Sequence, residues 1–303
     1  PSQPAGFVDA QDGFTTSGGA VPGAMDCTNC SNVTIRECAF RQMGGSGVTF
    51  GGHAQRISLA GLDVRDVSGN GIVVGTGPNA SAPWQSTDNT VTDCEVDRVG
   101  QEFTGCSGIV AGYNVRLNIS HNTLTSLPYG GINIGAGAAR PGYAHDNVVS
   151  CNRIESWMLQ MQDIAGIHVS GRQPGSVISQ NFVLRQGLSG LEPPPSCDAP
   201  LSGRQCSLRE VLAIENVWIE QIGRKYNISK CQWTADGWCN QTGNTHGGGI
   251  YMDNGSGGWD VSENVLSGVY NWMFAWDGRP GKMVDMAYHH NWVDSPLFSN
   301  NAA

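Results

Sequence analysis

Three acids stand close to recurring marks in this chain: Asp163, Asp253 and Glu192, with His168, Tyr251 and His246 near them in the same pattern. Two carboxylates on one wall can split a glycosidic bond. One protonates the leaving oxygen while the other activates water or attacks the anomeric carbon. An imidazole or a phenol beside them, here His168 and Tyr251, would bind hydroxyls or tune acidity. Asn133 and His246 offer further polar contacts. Tyr129 and Trp259 offer faces on which the C–H surface of a sugar ring can lie, as polar and aromatic groups combine in small-molecule sites.

Acids so far apart in sequence meet only if the fold stacks them. The order glycine, aliphatic, variable, apolar appears at Gly47-Val48, Gly71-Ile72, Gly108-Ile109, Gly131-Ile132, Gly166-Ile167 and Gly249-Ile250, and loosely at Gly190-Leu191. A second mark, usually asparagine, follows each: Asn122, Asn152, Asn181, Asn216, Asn264 and Asn291, with Leu62 and Glu95 in the earlier places. Such internal repetition marks a solenoid. The runs between marks are short and alternate with period two, so they are strands. The expected fold is all-β: one right-handed parallel β-helix over residues 1–303, each coil burying its inward side chains against its neighbours. Glycine is expected at sharp turns because it accepts positive φ. The asparagines are expected to form a hydrogen-bonded ladder like identical polar residues in stacked strands. Longer loops are expected near 76–90, 136–147, 193–211 and 221–245, where insertions in repeat proteins often build the binding face.

If the residue after each glycine points inward, the next points out. The outward column then reads Thr49, Val73, Val110, Asn133, His168, Glu192, Tyr251. Two positions on, the same wall carries Ser170 and Asp253. Coils stack about 4.8 Å apart, which puts the backbones of Glu192 and Asp253 roughly 8 Å apart if Gly190 opens a coil of its own. Asp163, three residues before Gly166, reaches the same wall only if the backbone bends near that glycine.

Composition narrows the class. Charged residues make up 14% of the chain, glycine supplies 42 of 303 positions and the formal net charge is −9. Nucleic acid and anionic membrane both ask for a basic surface, so neither is an expected partner. No apolar run approaches the roughly 18 residues that span a bilayer, so membrane insertion is not expected. No basic segment precedes an apolar one at the start, so a signal peptide would be removed or lie outside this sequence. Ten cysteines and six N-x-S/T sequons, at Asn32, Asn79, Asn118, Asn227, Asn240 and Asn254, point to an oxidising, eukaryotic secretory route and an extracellular location. The local pairs Cys197/Cys206 and Cys231/Cys239 are the expected disulfides. Cys27-Thr28-Asn29-Cys30 is a lone CxxC without a second pair, so no metal is expected, and no cofactor.

Three stretches resemble secreted right-handed β-helix proteins of the pectate-lyase-like superfold. They are Gln162–Asn181, His246–Trp259, and His121–Leu124 with Pro128–Ile132. The nearest branch is similar to the family 141 glycoside hydrolases, which act on fucosyl or xylosyl plant-type glycans. That resemblance implies Asp163 and Asp253 as the catalytic pair; the column reading keeps Glu192 as the replacement for either. It also implies further coils before Pro1. The family's Asp-Gly-Gly is Asp163-Ile164-Ala165 here, and a cysteine-bearing insertion separates the two motifs. The alternative is a structural glycoprotein of a wall, sheath or filament, built by stacking of open coil ends or capped by another subunit. A polysaccharide lyase would need a basic residue among the acids, and none occupies these columns; a binding module without turnover is a further reading.

Overall fold

The computed structural model describes residues 20–75, 85–135, 144–161, 163–187, 231–233, 239–241, 247–269, 271–275, 284–294 and 298–300. The loops expected near 76–90 and 136–147 fall only partly within them. Glu192, His246, Asn79, Asn227, Cys197 and Cys206 lie outside them.

Parallel strands wind through three faces per coil. The first face holds Gly23–Thr28, Ser46–Gly51, Ile72–Val74, Ile109–Ala111, Ile132–Ile134 and Met273–Ala275. The second holds Thr34–Arg36, Ser58–Ala60, Thr90–Thr92, Asn118–Ser120, Val148–Ser150 and Ala287–His289. In two coils these faces join without a break, as the bent strands Ile164–Ser179 and Gly247–Ser262, so both faces form one 15-stranded sheet. The third face is an 8-stranded sheet running from Ala39–Met43 to Trp292–Val293.

Register is strict because each coil's inward side chains must fall on those above and below. Val48, Ile72, Ile109, Ile132, Ile167, Ile250 and Met273 are successive partners on the first face. Leu59, Val91, Ile119, Val149, Ile178 and Val261 repeat the arrangement on the second. All are buried, most of them completely. Burying such a side chain contributes about 1.5–3 kcal/mol, so stacked rows of them hold the helix without a conventional two-layer core.

The column glycines do align vertically, but not for the expected reason. Gly47, Gly71, Gly108, Gly131, Gly166 and Gly249 are absent from the positive-φ positions. They are glycine because a Cβ has no room. At Gly47 it would meet the Gly71 carbonyl oxygen at 2.6 Å and Val64 Cγ1 at 2.6 Å. The same pairing of next-coil carbonyl and own-coil aliphatic crowds Gly71, Gly108, Gly131, Gly166 and Gly249. The left-handed turn falls elsewhere. Glu37, Asp93, His121, Cys151, Gln180, Glu263 and His290, all with φ between 51° and 58°, lead into the third face.

The residue after that turn carries the ladder. Asn122, Asn152, Asn181, Asn264 and Asn291 each bond the next through Nδ2 to Oδ1 at 2.9–3.0 Å. Two expectations are corrected here. Asn181 bonds Asn264 directly across 83 residues of chain, so Asn216 is not a rung. Glu95 pairs with Thr123, which puts Cys94, not Glu95, beside Asn122; Cys94 N–H donates to Asn122 Oδ1 at 2.9 Å. A buried apolar column requires a neutral residue there, which Glu95 could not supply.

Candidate active site

Ile164–Ser179 pairs directly with Gly247–Ser262, with Ile167 beside Ile250, His168 beside Tyr251 and Ser170 beside Asp253. No coil starting at Gly190 intervenes. The position expected for Glu192 in the outward column, between His168 and Tyr251, therefore does not exist. The residue one coil from Asp253 is Ser170, whose wholly buried hydroxyl has no hydrogen-bond partner among the described residues.

The rest of the column stands as expected: Thr49, Val73, Val110, Asn133, His168, Tyr251 in register. Its chemistry changes along the helix axis. Val73 and Val110 form a separate apolar pair with Ala20 packed on it. Asn133 begins the polar part. His168 Nδ1 lies 2.9 Å from Asn133 Oδ1, and His168 Nε2 lies 3.3 Å from Asp253 Oδ2. The His168 and Tyr251 rings meet edge to face with centroids 4.9 Å apart. The Tyr251 hydroxyl reaches Asp163 Oδ1 at 3.4 Å.

Asp163 reaches this cluster because its backbone bends. It adopts φ of +67°, a left-handed conformation that a non-glycine residue holds at a cost of about 1–3 kcal/mol. The Tyr129 hydroxyl donates to the Asp163 carbonyl at 2.8 Å and steadies the bend. Asp253 is held from its other side. The Asn254 N–H donates to Oδ1 at 2.7 Å, Asn254 Nδ2 donates to Oδ2 at 2.8 Å, and the Ser256 hydroxyl donates to the Asp253 carbonyl at 2.6 Å. Burial first, then the negative charges of Asp253 and Asp163, pushes the Tyr251 phenol far above its usual range, so it remains a donor.

Exposure separates residues that could touch a ligand from those that position them. Asp163 is half-buried, and the Asp253 side chain keeps 15% of its surface against 1% for His168. Asn133, Tyr129, Tyr251 and Trp259, all expected to bind substrate, are buried. Tyr129 and Trp259 belong to the main hydrophobic cluster, as does Trp157. Their rings fill the interior of the coil and cannot meet a sugar face. His168, Asn133 and Tyr251, also expected to bind substrate, are buried as well, but at the polar part of the outward column rather than in the interior cluster.

Among the described residues no group of three His, Cys, Asp or Glu side chains could hold a metal ion, and no helix is long and apolar enough to cross a membrane. Cys27 and Cys30 form a disulfide. Cys231 stands opposite Gln241 and Cys239 opposite Trp233 in a short antiparallel pair. Asn32 and Asn254 are exposed and Asn118 is half-buried.

The family described as "Right handed beta helix region" matches residues 22–183. The chain belongs to the right-handed β-helix family. A solved structure of a glycoside hydrolase superposes on this β-helix with a TM-score of 0.58 over 93% of the chain at 20% identity. At that identity the likeness shows the fold. The chain spans 39% of that protein's length. No curated protein matches this β-helix in sequence.

Proposed function

We propose that this β-helix acts on glycans and hydrolyses glycosidic bonds with Asp163 and Asp253, on fucosyl- or xylosyl-type substrates. One observation carries the reading. The outward column turns polar in the coils that bring Asp163 to Tyr251 and Asp253 to His168, and those two rings touch. Two acids on either side of one ring pair, both partly open to solvent, suit a reaction needing a proton at the leaving oxygen and a negative charge at the anomeric carbon. The fold shared with a glycoside hydrolase supports a carbohydrate substrate. Passage through a secretory route fits the sequons, since Asn32 presents its side chain to solvent.

The test is hydrolysis of a panel of fucosyl and xylosyl oligosaccharides by wild type, Asp163→Asn and Asp253→Asn. Turnover by wild type with at least ~100-fold loss in each variant is expected, the usual scale for removing an acid or base. Equal turnover in all three would remove both acids from the chemistry.

A second reading, a self-assembling structural glycoprotein, rests on the first coil. Gly23–Thr28 pairs only with Ser46–Gly51 among the described residues, which leaves a strand edge able to accept another. Electron microscopy decides it: isolated particles at every concentration would end that reading, and end-to-end rods would establish it.

A further inference from the structure

We propose that the outer surface of the third face is a glycan-holding site, separate from the acid pair, on which Phe182 and Trp292 seat a neutral, unbranched β-1,4-linked polysaccharide running along the helix axis. A chain can lie there whether or not it is cut on the first face.

Phe182, Val265 and Trp292 are successive partners on the third face, one from each of three coils. Large apolar side chains normally go inside, yet 49% of Phe182 and 56% of Trp292 is open to solvent, with half-buried Val265 between them. The interior does not need the two rings, because Val183, Leu266 and Val293 fill it from the same strands. Exposed apolar groups set in line, rather than scattered singly, mark a surface that a partner covers. The strip starts abruptly. Upstream coils carry Asp63, Glu95, Thr123 and Arg153 in the same column, and Arg65 bridges Asp63 to Glu95.

The strip is one residue wide and both its edges are polar. Two positions before the apolar residues stand Gln180, Glu263 and His290, all exposed, with Gln180 Nε2 donating to Glu263 Oε2 at 2.8 Å. Two positions after them come Leu184, Ser267 and Asp294, with the Ser267 hydroxyl donating to Asp294 Oδ2 at 2.6 Å. An apolar track between hydrogen-bonding edges matches a sugar ring, which has C–H bonds on its faces and hydroxyls around its rim. A lipid surface or an apolar peptide would leave those edges without partners. Glu263 and Asp294, on a chain of net charge −9, oppose a polyanion, so the polysaccharide is neutral.

The coil repeat selects the linkage. Phe182 and Trp292 stand two coils apart, about 9.6 Å at the spacing of parallel strands. Two units of an extended β-1,4-linked chain advance by nearly the same length, and every second unit turns the same face to the protein. Each ring then meets an equivalent sugar face, and the unit between them lies over Val265. An α-1,4-linked chain curls and cannot lie on both rings.

Calorimetric titration of the whole chain with cellohexaose, cellobiose and maltohexaose tests this. Cellohexaose should bind, while cellobiose, too short to reach both rings, and curled maltohexaose should not. Phe182→Ala and Trp292→Ala should each weaken cellohexaose binding by roughly tenfold or more, the scale for truncating an aromatic anchor. Trp292→Tyr, which keeps a ring, should retain most of the affinity. Because both side chains are exposed, urea midpoints should move little in any of these variants. Asp253→Asn should bind cellohexaose as wild type does. Loss of binding in Asp253→Asn with none in Trp292→Ala would put the sugar on the acid wall and overturn the proposal. So would equal binding of maltohexaose, or no binding of any oligosaccharide. Dimers that Trp292→Ala splits, without sugar binding, would make the strip a contact between copies and overturn it too. Binding through Trp292 with no turnover of any glycoside would end the hydrolytic reading alone, and turnover without that binding would end this one alone.

Discussion

Tyr129 donates its hydroxyl to the main-chain carbonyl of Asp163 at 2.8 Å, and Asp163 is the residue whose φ of +67° bends the coil toward the acid wall. A phenol that is otherwise core therefore holds a catalytic candidate in an unfavourable backbone conformation. Tyr129→Phe keeps the ring and removes only that bond. The expected loss is about 1 kcal/mol of stability, the net worth of one hydrogen bond. Turnover should fall by roughly tenfold, since misplacing a catalytic group is costly even where folding survives. Urea unfolding and steady-state rates on the same preparation measure both. Unchanged rates with lowered stability would mean the bend persists without the phenol.

Gly47→Ala tests why the glycine column is glycine. The new Cβ would stand 2.6 Å from both the Gly71 carbonyl and Val64 Cγ1, so the coils must part or the third face must shift outward. Overpacking of this kind costs about 1–3 kcal/mol. A turn glycine with positive φ and more room, Gly61, whose nearest atom to an added Cβ is Glu37 Cγ at 3.6 Å, serves as the control for backbone strain alone. Thermal unfolding of the two variants separates steric from conformational cost. Full stability in Gly47→Ala would contradict the steric account.

Asn152 sits mid-ladder and Asn291 at the last described rung. Asn152 donates from Nδ2 to Asn181 Oδ1 and to the Ile119 carbonyl, and its Oδ1 accepts from Asn122 N and Nδ2. Replacing it with alanine leaves buried groups on two coils without partners. The expected cost is about 2–4 kcal/mol, combining lost bonds with the desolvation of the groups left behind. Asn291→Ala, at a part-buried end, should cost no more than about 1 kcal/mol. Denaturant midpoints should fall much further for the first. Equal shifts would mean that the ladder does not act as a continuous polar spine.

Those elements show what the sequence can disclose. The column from Thr49 to Tyr251 is legible because period-two alternation and a fixed glycine mark set register without coordinates. The insertion after Gly187 breaks that logic: Gly190-Leu191 imitates a coil start in residue type, yet the neighbouring coils pair directly without it, and Glu192 is misplaced with it. Burial of the outward column is also hidden. Alternation says which face a side chain takes, not whether that face meets solvent, so the burial of His168, Asn133 and Tyr251 is not legible in the sequence. The bend at Asp163 is legible only as a requirement. Its mechanism depends on Tyr129, a residue 34 positions away that reads as an aromatic platform.

Cys94 occupies an asparagine position of the ladder as a buried free thiol. Burial pushes its pKa from 9.0 up to about 11, because the interior penalises the thiolate. Below the unfolded-chain pKa near 9 both states keep the proton, and this group leaves stability unaffected by pH. Between pH 9 and about 11 the unfolded chain gives up the proton and the folded chain does not, so stability falls as pH rises. Each tenfold difference in proton affinity is worth about 1.4 kcal/mol, so the loss amounts to roughly 2–3 kcal/mol across that window. Cys94→Ala should flatten the alkaline slope of the urea midpoint by that amount, at the expense of some packing at neutral pH. In the native protein Cys38, which is exposed, should react with a thiol reagent at about pH 8 while Cys94 does not. An alkaline slope identical in wild type and Cys94→Ala would show that another group controls it.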